Sequence, residues 1–173
     1  MSYLFSSYYG YNLKYFNGDI SMWDVSNVTN MKYMFSGAEK FNQPIGKWNV
    51  ANVTDMGYMF YNAESFNQPI GNWDVSNVTN MEHMFTRAKS FNQHIEDWDV
   101  SNVTNMYGMF EFARSFNNPI GEWNVSKVDD MSYMFYAANS FNQDLSKWKL
   151  KSNYIYSVFV ECPIEEKYKP EFK

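Results

Sequence analysis

Residues 66–90 read FNQPIGNWDVSNVTNMEHMFTRAKS, and the chain repeats nearly the same text every 25 residues. Tryptophan recurs at Trp23, Trp48, Trp73, Trp98, Trp123 and Trp148, and a Phe-Asn pair recurs with Asn17, Asn42, Asn67, Asn92, Asn117 and Asn142. A fixed period between about 20 and 50 residues marks a stacked architecture, in which each unit needs a neighbour to cover its apolar side. What recurs is therefore expected inside, and what differs between copies is expected on the surface.

Within the unit, Ile70, Trp73 and Val75 alternate with polar residues, which predicts a short strand around Trp73. Met81, Met84, Phe85 and Ala88 then follow the i, i+3, i+4, i+7 spacing that predicts one face of a short helix. Thr79 stands where a helix N-cap would stand, with Glu82 placed to complete a capping box. The same position is Thr29, Thr54 and Thr104 in other copies and Asp129 in the fifth, a replacement that keeps the capping chemistry. The expected fold is an α/β repeat solenoid with one short parallel strand and one short helix per 25-residue repeat. In-register stacking places one Trp above the next at about 4.8 Å. The Asn beside each Phe predicts a ladder of side chains bonding along the stack and to turn backbone, since a buried amide must be hydrogen-bonded.

Organisation follows from the period. Residues 1–15 are rich in tyrosine and read as an N-terminal cap, residues 16–160 hold six repeats with the last degenerate, and residues 161–173 read as a charged C-terminal cap. In the degenerate copy Tyr156 is read into the Met81 column and Val158-Phe159 into the Met-Phe pair. End units must hide an apolar face under something polar.

A net charge of −5 weighs against a nucleic-acid partner, which needs a clustered basic excess. Cys162 is the single cysteine, so no intrachain disulfide is expected and a structural zinc site lacks ligands. No cofactor or metal is expected: the acidic columns lack the alternating ligands and glycine of a calcium loop. No run of roughly 18 apolar residues predicts a membrane span, and the opening residues do not read as a signal segment. His83 and His94 occupy different places in the repeat, and no nucleophile, base and acid set recurs, so the chain is expected not to be an enzyme. Four of the five Asn-x-Thr/Ser sites follow automatically from the recurring Thr and carry little information.

Two surfaces are candidates for binding. The outward columns flanking Trp carry Asp24, Asp74, Asp97, Asp99 and Glu122, with Glu96 beside them and lysines toward the C-terminal end. This polarised face suits a basic partner or another copy of the chain. The other side varies between copies and carries Tyr33, Tyr58, Tyr61, Tyr107, Phe112, Tyr133 and Tyr136, residue types favoured at protein interfaces.

The unit, and above all W-D-V-S-N-V-T-N-M followed by M-F, resembles the 25-residue repeat of BspA-like leucine-rich-repeat surface proteins, also described as mycoplasma lipoprotein repeats. The resemblance covers residues 16–160. It implies a right-handed leucine-rich-repeat-type coil stack and adhesion or binding of a protein or glycan at a cell surface, with no catalytic residues. This chain shows no lipoprotein cysteine near Met1. A second role is also open: a structural subunit of a larger assembly, such as a cell-surface array or viral particle, self-associating through its ends or its charged face.

Overall fold

The computed structural model describes residue 4 and residues 13–150 and 155–171. The expected cap at residues 1–15 therefore falls mostly outside the described residues, as does Lys151 of the outward columns.

Successive 25-residue coils lie on one another. Phe66 and Phe91 stack with ring centroids 6.1 Å apart, and the column continues through Phe16, Phe41, Phe116 and Phe141 at 5.8–6.0 Å. A second column, Phe35, Phe60, Phe85, Phe110, Phe135 and Phe159, stacks at 5.5–5.7 Å. Within a coil the two columns meet face to face, as Phe85 and Phe91 do at 4.0 Å. Ile, Val, Met, Ala and Trp columns complete a continuous buried core.

The coils are not built as the periodicity predicts. Among the described residues there is neither an α-helix nor a strand: the regular elements are two 3₁₀ turns, Leu13–Tyr15 and Glu166–Tyr168. The α/β arrangement with a strand and a helix per repeat is thus replaced by serial tight turns. Apolar residues three apart close each turn: Trp73 donates to the Ile70 carbonyl, Val78 to Val75, Met84 to Met81, Ala88 to Phe85 and Phe91 to Ala88. The intervening amides bond to the next coil instead, His83 to Tyr107, Phe85 to Met109 and Arg87 to Glu111 at 2.8–2.9 Å. Every second N–H therefore leaves the coil, whereas a helix would keep all of them.

Backbone dihedrals explain why no helix forms. His83 and Arg87 have φ of 51° and 58°, and Tyr33, Tyr58, Tyr133, Asn62, Phe112 and Ala137 repeat the feature in their own coils. Each sits third in its turn, where a type II turn requires positive φ. A left-handed residue costs an L-amino acid about 1–2 kcal/mol and ends a helix. Thr79 accordingly caps nothing; its amide and hydroxyl both donate to the Thr54 carbonyl one coil earlier.

The expected strand around Trp73 is also absent. Sheet-like pairing is confined to single parallel bridges running Asn30, Asp55, Asn80, Asn105 and Asp130, one residue per coil. Each Trp from Trp48 to Trp148 is buried, its indole N–H donating to an Ile carbonyl of the preceding coil, as Trp73 does to Ile45 at 3.2 Å. Trp98 and Trp123 are 6.5 Å apart by ring centroid, wider than the expected strand spacing. Trp23 departs from the buried column at 38% exposure, because no complete coil lies over it among the described residues.

Glycine has one clear packing role. A Cβ on Gly46, Gly71 or Gly121 would come within 2.2–2.4 Å of a carbonyl oxygen in the following coil, so a side chain at any of the three requires the backbone there to shift, while Glu96 and Ser146 occupy the same column in their own coils.

The asparagine ladder lies along the partly exposed edge rather than in the core. Asn67 Oδ1 accepts from the Asn92 N–H at 2.9 Å and from the Gln93 amide at 2.9 Å, and Asn17, Asn42, Asn92 and Asn117 do the same one coil on. The C-terminal tail supplies the last rung: Glu165 N–H donates to Asn142 Oδ1 at 2.9 Å. Leu145 N–H donates to the Tyr168 carbonyl, and Ile164 of the tail is buried against the core. In this final coil Ile155, not Tyr156, packs against the core; Tyr156 is 64% exposed.

Candidate functional site

The outward columns are exposed, but their acids are occupied by their own turns. Asp24, Asp74 and Asp99 each accept the backbone N–H two residues on, from Ser26, Ser76 and Ser101, at 3.0–3.1 Å. The serine hydroxyl, and then this amide, hold all three carboxyls below the usual range. Glu122 pairs with Lys147. Glu96 pairs with His94 at 2.9 Å, its carboxyl lowered first by its own backbone amide, and lines a small recess of about 130 Å³ with Asp97, Asn72 and Gly71. These groups are spread along a line rather than converged on a point.

The opposite side does converge. The left-handed residues Tyr33, Tyr58, His83 and Tyr133, joined by Tyr107 from the position before Gly108, are brought by stacking into a ladder. Tyr33 and Tyr58 lie 4.5 Å apart by centroid, Tyr58 and His83 4.8 Å, His83 and Tyr107 4.9 Å, and Tyr107 and Tyr133 5.6 Å. Tyr61 adjoins Tyr58 and His83, and Tyr136 adjoins Tyr133 and Phe112. Lys32 lies over Tyr33 and Tyr58, and Arg87 over Phe112. Tyr58 donates to Glu82 at 3.1 Å, and burial, then the Glu82 charge, pushes its phenol far above the ordinary tyrosine range.

An open concavity of about 420 Å³ lies along this ladder, lined by Tyr33, Ser36, Tyr58, Tyr61, His83, Thr86, Arg87 and Glu111. The copies differ there. The turn column that is tyrosine in three coils becomes His83 and then Gly108, and a Cβ at Gly108 would fall 2.4 Å from His83 Nδ1. Thr86 Oγ1 donates to the Gly108 carbonyl at 2.6 Å and lies 2.8 Å from His83 Nδ1. Its one hydrogen is thereby used, so it accepts from Nδ1–H, and in the neutral tautomer this selects, Nε2 is the acceptor. Glu111 Oε2 lies 3.4 Å from the same Nδ1.

The structure thus brings Tyr58 and Tyr61 into one site, and Phe112, Tyr133 and Tyr136 into a neighbouring cluster, while the acidic candidates remain on the other columns. Sequence reasoning considered His83 only as a catalytic residue and passed over Thr86, Arg87 and Glu111. The available signal was their departure from the residues in the same column of other copies.

A family model described as Mycoplasma protein of unknown function, DUF285, matches residues 1–86 and 66–163. The chain belongs to the DUF285 family. No curated protein and no solved structure matches it. No helix among the described residues is long and apolar enough to cross a membrane, and no group of three or more His, Cys, Asp or Glu among them is arranged to hold a metal ion.

Proposed function

We propose that this DUF285 chain is a non-catalytic interaction module of the adhesion type, which engages a protein or glycan partner through the aromatic turn face. The observation that carries the reading is the continuous ladder from Tyr33 to Tyr133, with Tyr61, Phe112 and Tyr136 beside it. Tyrosine and arginine on a rigid frame are the residue types that dominate binding energy at interfaces. Here the frame is a core whose Met columns, and whose Phe columns from Phe35 to Phe141, are buried. The resemblance of the repeat to BspA-like surface proteins supports the same role and a cell-surface or secreted location.

The test is to compare the purified chain with a variant carrying Tyr61→Ser, Phe112→Ser and Tyr136→Ser for retention on a surface coated with glycoproteins. Loss of retention in a variant whose thermal unfolding is unchanged is expected. Equal retention, or loss only when Asp74 and Asp99 are changed to Lys, would move the interface to the acidic columns and refute the reading.

A further inference from the structure

We propose that the concavity around Tyr61, His83 and Glu111 is a subsite for one uncharged sugar ring, an inference that rests on the interaction role above and names the ligand chemistry of its deepest point. Three observations carry it. Tyr33, Tyr58 and Tyr61 line the hollow together with His83, so a ligand must present apolar C–H faces to rings. The polar groups among them offer both hydrogen-bonding senses at close range. Arg87 donates, Glu111 accepts, His83 Nε2 accepts once Thr86 has fixed the proton on Nδ1, and the Tyr61 hydroxyl does either. A pyranose is the common ligand that combines a C–H face with a ring of hydroxyls needing donors and acceptors alternately.

The charge pattern selects against ionic ligands. The lining carries one guanidinium, Arg87, and one carboxylate, Glu111, so neither sign is in excess. Arg87 already rests on the Phe112 ring, and Glu111 faces His83. A volume of about 420 Å³ lies in the range of small-ligand sites and accommodates one or two sugar rings. The site is also specific to this part of the stack. Here His83 and Gly108 stand where other copies have tyrosine, and Thr86 and Glu111 stand in successive coils.

Saturation-transfer NMR with the full chain tests the assignment, using methyl glycosides of glucose, galactose and mannose, N-acetylglucosamine, sialic acid and a trimethyl-lysine peptide as probes. At least one neutral sugar should receive saturation at millimolar concentration. Tyr61→Ala and Glu111→Gln should each weaken that sugar by about tenfold or more, the loss of one good contact. Tyr61→Phe should retain most of the binding, because it keeps the ring, and Met22→Ser, a change at a residue 90% exposed in the first coil, should leave binding unchanged. Transfer to sialic acid or to the peptide alone, transfer to none of the probes, or transfer indifferent to Tyr61→Ala and Glu111→Gln overturns the proposal. If the aromatic-face variant still loses retention on glycoproteins in those cases, the sugar subsite fails while the interaction reading survives.

Discussion

At the scale of single residues, the stack is held by side-chain acceptors that serve donors in the following coil. Asn67 is the clearest case: one side-chain oxygen serves the Asn92 amide and the Gln93 side chain. Asn67→Ala strands a backbone donor at a coil interface, which costs about 1–3 kcal/mol. Asn67→Asp keeps the acceptor and should cost less than half as much. Urea unfolding of the two variants measures the difference, and equal costs would mean that the amide, not the oxygen, matters. The sequence announced this ladder through its invariance across six copies, but not its geometry. Bonding along the stack and to backbone is as expected, but the ladder runs along a partly exposed edge and not inside the core, and nothing in the residue type distinguishes the two. His83, Thr86 and Glu111 were less legible still, because their meaning lies in the column each departs from.

At the scale of the element, the turn replaces the helix, and the reason is physical. Apolar residues three and four apart suit a helical face and equally suit consecutive four-residue turns closed by i to i+3 bonds. What separates them is the residue third in each turn, which must take positive φ. Here that residue is Tyr, His, Arg or Phe far more often than Gly, so the usual signal is missing. The strain of about 1–2 kcal/mol at each such residue is offset by the inter-coil hydrogen bonds and core that the conformation permits. The flanking turns carry a pH dependence. Asp24, Asp74 and Asp99 have carboxyls held below their usual range, first by the serine hydroxyls and then by the serine amides. A depressed folded-state pKa contributes stability that is present above the unfolded value and lost as pH falls through the folded one. Stability should therefore be level near neutrality and fall below about pH 4. The effect of each exposed carboxylate is small, and added salt weakens it. Replacing all three Asp by Asn should flatten the acid limb; an unchanged limb would assign acid sensitivity to other groups.

At the scale of the whole molecule, the period was the most informative feature of the sequence. It established the stack, the buried Phe, Met and Trp columns, and the side of the coil on which copies differ. It did not reveal the cross-section, because a repeat length fixes how often the chain returns and not the path it takes between returns. The end coils show where the stack meets its limits: Trp23 is 38% exposed, while Trp48 to Trp148 are at 3–4%. The central claim is that flat turn-built coils lie on one another with alternate amides bonding across the interface. Nuclear Overhauser spectroscopy of the labelled chain tests it most directly. The account predicts contacts between the Phe66 and Phe91 rings and between the His83 amide and Tyr107, with no continuous run of sequential amide contacts through residues 81–88. A continuous helical run there, with no contact between Phe66 and Phe91, would contradict it.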